Sequence, residues 1–187
     1  MQKIIKDFAE KIAEGTIEIY NEFSLQNELG IFLRGQSTFS NMKVQFERPV
    51  SFFGSDEDFI KREIDIAIYS EDEEGNQVKE AILELKFPRK GQYPEQMFSF
   101  CKSICFCEQL KKSGFKAAYV LVFVDDKLFY EGANQGIYQF FRSPQNELHG
   151  VIQKPTGSHD DSISIDGHHL ISWNAVKDEL KYALVEV

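Results

Sequence analysis

Residues 63–86 constrain the fold of this chain more than any other segment. Two runs of alternating apolar and polar residues, EIDIAIY and EAILELK, are separated by an acidic stretch that contains a glycine. Alternation with a period of two is typical of a β-strand whose two faces have different surroundings. The segment is therefore predicted to form a β-hairpin that turns around Glu74 and Gly75.

A symmetric hairpin separates the side chains of this segment onto two faces, because successive residues of a strand point in opposite directions. One face is apolar and is expected to lie in the core. It carries Ile64, Ile66, Ile68, Ala81, Leu83 and Leu85. The predicted cross-strand pairs are Asp65 with Glu84, Glu63 with Lys86, and Ala67 with Ile82.

The other face of the hairpin brings Asp65, Glu84 and Lys86 together. Directly opposed carboxylates repel, by an amount comparable with the roughly 0.2–1 kcal/mol that favourable cross-strand pairs contribute. A divalent cation is the simplest way to offset this repulsion, and Mg²⁺ is commonly held by one or two carboxylates with water and phosphate oxygens. Lys86 could then orient or deprotonate a water molecule, or stabilise charge on a phosphate.

The order of these residues resembles a known signature. Asp65, followed after a strand and a turn by Glu84-Leu85-Lys86, resembles the D…(D/E)xK motif of the PD-(D/E)XK, or restriction-endonuclease-like, nuclease superfamily. Ile64 stands where the family usually has proline. The resemblance implies that Asp65, Glu84 and Lys86 are catalytic and that the two acids bind Mg²⁺, with Mn²⁺ as a substitute. The alternative interpretation is a hairpin with a solvated charged face.

The length and composition of the chain favour one α/β domain. A chain of 187 residues with 42% hydrophobic residues is long enough to bury a substantial core. It has no apolar run of membrane-spanning length, and its charged N-terminus does not resemble a signal peptide. Its cysteines, Cys101, Cys105 and Cys107, are predicted to be buried, reduced thiols. We therefore expect a cytoplasmic protein without membrane contact.

The predicted elements follow the order α, β, β, β, α, β after an initial helix. They lie at residues 2–14, 17–34, 42–50, 63–86 (two strands), 94–113 and 116–125. The last strand is apolar almost throughout, which indicates burial on both faces and a parallel neighbour. This order agrees with the restriction-endonuclease-like core, and the resemblance implies a mixed central sheet flanked by helices.

The whole chain, residues 1–187, is predicted to be one domain with its core at about residues 16–126. Residues 127–187 are expected to form an accessory region, with a short helix at 135–143 and a strand at 148–154. A two-residue turn at Asp166 and Gly167 is predicted to join two strands, since this dipeptide is a strong hairpin signal. Residues 180–187 are predicted to form a closing strand.

Further site residues come from the resemblance. In the superfamily, a helix before the sheet often supplies another carboxylate to the metal. Among Glu18, Glu22 and Glu28, residues 27–34 most resemble that helix, so Glu28 is the predicted ligand. Gln96, with Phe100 one turn later, resembles the Q-x3-Y element of several nuclease branches, although the aromatic residue there is tyrosine.

Three cations near the motif are candidate contacts for nucleic acid. Arg89 and Lys90 lie in the loop after the predicted strand and could bind phosphate. Lys102, on the following helix, could point toward the site. The alternative for each is an ordinary solvated charge.

The charge distribution leaves two functions open. The net charge is −9, but residues 84–116 carry seven basic and three acidic side chains, which would give a local positive field. The first hypothesis is a Mg²⁺-dependent nuclease acting on nucleic acid, with DNA preferred, and the resemblance implies that its product carries a 5′-phosphate. The second is an inactive domain of the same fold that acts as a protein-interaction or weak DNA-binding module. Short domains of this family often act as dimers, so the resemblance also leaves a homodimer open.

Overall fold

The computed structural model describes residues 1–54, 58–88, 90–156 and 161–187. The helices in these ranges are α1 (Gln2–Ala13), α2 (Glu22–Arg34), α3 (Tyr93–Lys112) and α4 (Tyr138–Arg142). The strands are β1 (Lys43–Pro49), β2 (Glu63–Glu71), β3 (Gln77–Lys86), β4 (Ala117–Val124), β5 (Leu148–Gln153), β6 (Ser162–His169), β7 (Asn174–Lys177) and β8 (Leu180–Glu186). None of these helices is long and apolar enough to cross a lipid bilayer.

A six-stranded mixed sheet forms the centre of the fold, with the strand order β1-β2-β3-β4-β8-β7. β3 and β4 are parallel and are connected through α3, whereas the other neighbours in this sheet are antiparallel. The prediction of an α/β fold with a mixed sheet flanked by helices is confirmed. The order α2, β1, β2, β3, α3, β4 also agrees with the predicted order of elements.

Both faces of the β2–β3 hairpin are buried, not one face as predicted. Ile66 and Leu83 pack with α1 and α2, whereas Ala67 and Ile82 belong to the hydrophobic cluster on the α3 side. Ile64 also belongs to the α3-side cluster, so its predicted place beside Ile66 is wrong. The second face is covered because α3 returns across the sheet between the parallel strands β3 and β4, as such a connection requires.

The predicted register of the hairpin is confirmed at its centre. Ala67 is paired with Ile82, and the pairing shifts by one residue beyond Ile68, which marks a β-bulge. Cys101 and Cys107, on the inner side of α3, are buried and free, as predicted, whereas Cys105 is free but only half-buried, so its predicted burial is wrong. Burial raises the pKa of the Cys101 and Cys107 thiols, which disfavours their reactive thiolate form.

The predicted hairpin turn at Asp166 and Gly167 is wrong. Both residues lie inside β6, which pairs with β5 in a separate two-stranded sheet. The buried carboxylate of Glu108 on α3 accepts hydrogen bonds from the backbone N–H groups of Asp166 and Gly167, at 2.9 and 2.7 Å, and contacts His169 Nε2 at 3.0 Å. These contacts hold the dipeptide in an extended strand, which no local turn signal could reveal.

Replacing Glu108 with alanine is expected to lower the free energy of unfolding by about 2 kcal/mol, because the partly buried N–H groups of Asp166 and Gly167 and the buried His169 ring lose their partner. Chemical denaturation of the variant measures this change. Glu95→Ala, in the first turn of the same helix, is the control and should cost less than about 1 kcal/mol. Equal losses in the two variants would contradict the role assigned to Glu108.

The central sheet extends beyond the predicted core of residues 16–126. β8 is confirmed as a closing strand and pairs with β4, and β7 pairs with β8. The last strands are therefore part of the main sheet and not accessory to it. They complete the sheet because β4, buried on both faces, needs a hydrogen-bonded neighbour on its second edge.

Candidate functional site

The strands β2 and β3 diverge at the end that carries the predicted motif. Their pairing ends at Ile66 and Leu83, although β2 stays paired with β1 as far as Glu63 and β3 stays paired with β4 as far as Lys86. The predicted pair of Glu63 with Lys86 is therefore not formed. This divergence, which we call the fork, leaves a gap between two otherwise continuous strands.

The side chains of Asp65 and Glu84 fill the fork. Asp65 Oδ2 accepts a hydrogen bond of 2.7 Å from the backbone N–H of Leu85, and Asp65 N–H donates to Glu84 Oε1 at 3.3 Å. Carboxylates thus replace the backbone partners that the diverging strands lose. The predicted proximity of the two acids is present, and their orientation is fixed by the backbone of the opposite strand.

The two acids are withdrawn from solvent. Asp65 is 9% exposed and Glu84 is 0% exposed. Burial raises the pKa of Glu84 to about 8, and the negative charge of Asp65 acts in the same direction. Charged carboxylates at such a depth are stable only beside a positive partner.

Lys61 supplies that partner. Its Nζ lies 3.2 Å from Asp65 Oδ1 and also forms an ion pair with Glu84 Oε2. Burial would lower the pKa of Lys61, but the charges of Glu84 and Asp65 outweigh this effect and hold the pKa above its usual value. The sequence pattern does not predict Lys61, because it lies in the segment before β2 where no periodicity fixes its direction.

Lys86 is held at the end of β3 by two oxygen atoms. Its Nζ lies 3.1 Å from Glu22 Oε1 and donates to the backbone carbonyl of Leu85 at 2.8 Å. Glu22 Oε2 also accepts a hydrogen bond of 3.2 Å from the backbone N–H of Phe87. The lysine of the motif is therefore positioned by a carboxylate of α2.

The helix acid at the site is Glu22, not the predicted Glu28. α2 begins at Glu22 and not at residue 17, because Asn21 and Ser24 form a capping box there. Gln26 faces the site through a hydrogen bond of 2.8 Å to the carbonyl of Asp65. Glu28 lies two residues after Gln26, so its side chain points about 200° further around the helix axis, to nearly the opposite side from the site. It makes no hydrogen bond or ion pair with the described residues.

A cleft of about 190 Å³ opens beside the fork. It is lined by Glu22, Phe23, Gln26, Glu47, Asp65 and Leu85. Glu47 lies on β1 with φ 46°, a left-handed conformation that is uncommon for glutamate and usually costs free energy. Its Oε1 accepts a hydrogen bond from the Gln26 side chain. The cleft therefore contains acids from β1 and α2 that the motif does not predict.

Two of the supporting residues predicted from the resemblance lie on α3. Gln96 is half-buried in the first turn of α3. Lys102 forms an ion pair with Asp161, at 3.3 Å, so its predicted direction toward the site is wrong. Arg89 lies outside the described residues.

Lys90 is exposed, and its charge affects the pKa of Asp126, a residue that follows β4. Hydrogen bonds from the Leu128 N–H and the Tyr93 hydroxyl lower the pKa of Asp126, and the charge of Lys90 contributes to this shift. Since β3 and β4 are parallel, their carboxyl ends lie at the same edge of the sheet. Lys90 is thus at the same edge as the fork, where contact with a long ligand remains a prediction.

Comparisons of this chain with known families, proteins and structures identify no relative. No family model, no curated protein and no solved structure matches this chain. Among the described residues, no group of three or more His, Cys, Asp or Glu side chains is arranged to hold a metal ion. The fork itself combines two carboxylates, two ammonium groups and an adjoining cleft.

The raised pKa of Glu84 predicts a pH-dependent stability in metal-free solution. Between its usual value of 4.5 and about 8, the folded protein retains a proton on Glu84 that the unfolded chain releases. The free energy of unfolding should therefore fall as pH rises through this window, by an amount on the order of a few kcal/mol. Urea denaturation at pH 5, 7 and 8.5 in EDTA measures the slope. Glu84→Gln should flatten it, and identical slopes in both proteins would contradict the assignment.

Proposed function

We propose that this chain is a metal-dependent nuclease with a restriction-endonuclease-like core, and that it hydrolyses phosphodiester bonds of nucleic acid, with DNA as the expected polymer. The observation that carries the proposal is the pair of Asp65 and Glu84 in the fork, with Lys86 at the end of the same strand. A buried acid pair next to an oriented lysine is uncommon at a purely structural position, because each charge is costly to bury.

The residues of the fork suit a hard divalent cation. Asp65 and Glu84 would hold Mg²⁺, or Mn²⁺ in its place, since these ions prefer oxygen ligands and Mg²⁺ keeps several water molecules when few protein ligands are present. The carbonyl of Leu85, which already accepts a hydrogen bond from Lys86, adjoins the pair. When bound, the ion lowers the pKa of a water molecule and offsets negative charge on the phosphate.

The protein residues have distinct parts in this proposal. Lys86 orients the attacking water or stabilises charge on the phosphate, and Glu22 positions Lys86 through the contact of 3.1 Å. Gln26 fixes the backbone of Asp65 through its carbonyl. The cleft beside the fork would admit the phosphate backbone, and Lys90 would contact it at the same edge of the sheet.

A second candidate function is a domain of this fold that does not cut, and that acts as a protein-interaction or weak DNA-binding module. The contact of Lys61 with both acids favours it, because the ammonium group already satisfies the pair. The net charge of −9 also opposes tight binding to nucleic acid. The two functions differ in whether a metal ion binds and whether a phosphodiester bond is broken.

Incubation of the purified protein with supercoiled plasmid, single-stranded DNA and RNA at low salt tests the proposal. We expect cleavage of DNA in Mg²⁺ or Mn²⁺, none in EDTA, and products with a 5′-phosphate. Asp65→Asn is the matched negative control, because it keeps the size of the side chain and removes its charge. Cleavage that persists in EDTA, or in Asp65→Asn, would contradict the proposed site. Absence of both cleavage and metal binding would favour the second candidate.

A further inference from the structure

We propose that Lys61 is a built-in competitor of the metal ion: its ammonium group holds the carboxylate oxygens that the ion needs, and leaves them when the ion binds. This inference rests on the proposed function, because it concerns the same carboxylate pair. It adds a determinant of metal affinity that belongs to neither the D…(D/E)xK motif nor the helix preceding the sheet.

All four carboxylate oxygen atoms of Asp65 and Glu84 have a hydrogen-bond or ion-pair partner. Oδ1 of Asp65 and Oε2 of Glu84 contact the Lys61 ammonium group. Oδ2 of Asp65 accepts from the N–H of Leu85, and Oε1 of Glu84 accepts from the N–H of Asp65. The second set of contacts replaces strand pairing in the fork, so releasing it would leave buried backbone donors without partners.

The oxygens held by Lys61 are therefore the ones most easily given up to another cation. A divalent ion held by Asp65 and Glu84 would need these oxygens, and would therefore compete with the Lys61 ammonium group for them. Two cations beside the same oxygens would repel each other strongly in surroundings of low polarity. Lys61 and the ion are thus expected to exclude one another.

Lys61 has a route out of the site. It lies before β2, and its side chain is 31% exposed. It also lines a separate cavity of about 160 Å³, together with Val50, Ser51 and Phe59. Its Nζ lies 5.5 Å from the centre of the Phe106 ring, which gives the cation a favourable neighbour next to the pair. A flexible lysine side chain can therefore move toward solvent without a change in the sheet.

Binding of Mn²⁺ to metal-free protein, measured by isothermal titration calorimetry, tests this exchange. Lys61→Met removes the competing charge and should increase the affinity for Mn²⁺ at least 10-fold. Lys79→Met is the matched control, because Lys79 also lies near an aromatic ring, Phe115, but donates to the carbonyl of Ser113 and not to a carboxylate. Its affinity should equal that of the wild type.

Each other outcome overturns the inference in a recognisable way. Equal affinities in wild type and Lys61→Met would leave the metal site in place and show that Lys61 does not compete. Weaker binding in Lys61→Met would show that Lys61 assists the ion. Absence of binding in both proteins would overturn the proposed metal site itself, and the inference with it.

A measurement on the unmodified protein keeps the inference testable should Lys61→Met fold poorly. Labelling with an amine-specific reagent, followed by mass spectrometry, reports how freely each lysine reacts. Saturating Mn²⁺ should increase the labelling of Lys61 several-fold and leave that of Lys79 unchanged. Unchanged labelling of Lys61 in protein that binds Mn²⁺ would overturn the exchange.

Discussion

Lys86→Ala is expected to lower the rate of DNA cleavage at least about 100-fold, the range typical for loss of a group that assists proton transfer or stabilises charge. The reason is geometric: Lys86 is held at the fork by Glu22 and by the carbonyl of Leu85, and its loss leaves no ammonium group in that position. Plasmid cleavage under single-turnover conditions in Mg²⁺ measures the effect.

The fold of this variant should be retained. Lys86 and Glu22 form an ion pair that is partly exposed, and such pairs contribute about 1 kcal/mol or less. Lys102→Ala is the matched control, since Lys102 pairs with Asp161 and not with the fork, so its cleavage rate should stay near that of the wild type. Wild-type activity in Lys86→Ala would contradict the role assigned to Lys86. An equal loss of activity in Lys86→Ala and Lys102→Ala would contradict it too.

Lys61→Met is expected to lower the free energy of unfolding of the metal-free protein by about 3 kcal/mol. This value is at the lower end of the range for a broken buried ion pair, because Lys61 itself is partly exposed. For a domain of this size the change corresponds to a fall in melting temperature of about 6–12 °C. Thermal unfolding at pH 8.5 in EDTA, where Glu84 is mostly ionised, measures it, and addition of Mn²⁺ should recover part of the loss.

A double variant identifies the cause of this effect. At pH 8.5, where Glu84 of the wild type is mostly ionised, Lys61→Met combined with Glu84→Gln removes the buried negative charge as well, so it should be more stable than Lys61→Met alone. Lys79→Met, which removes a lysine without a carboxylate partner, should cost less than half as much. A double variant no more stable than Lys61→Met would indicate that the aliphatic part of Lys61 matters and its charge does not.

The predictions that hold depend on local patterns. Alternation along β2 and β3 identifies both strands and brings Asp65 close to Glu84, because a short turn fixes the register at the centre of the hairpin. The continuous apolar run of β4 identifies a strand buried on both faces, with β3 as its parallel neighbour. In each case the information lies within a few residues of the element.

The predictions that fail depend on partners far along the chain. The dipeptide at Asp166 is extended because Glu108, 58 residues earlier, binds its backbone. Glu22 replaces Glu28 because the capping box of Asn21 sets the start of α2, and its first turn then faces the end of β3.

The spacing of neighbouring residues is enough to identify the main strands and helices of the sheet, and the two acids that meet on the central hairpin. The groups that surround this acid pair are known only from the folded chain. The strands diverge at the fork, the Lys61 ammonium group contacts both carboxylates, and the Glu22 carboxylate forms an ion pair with Lys86. These contacts join segments that periodicity does not relate, so they depend on the packing of α2 and the segment before β2 against the sheet.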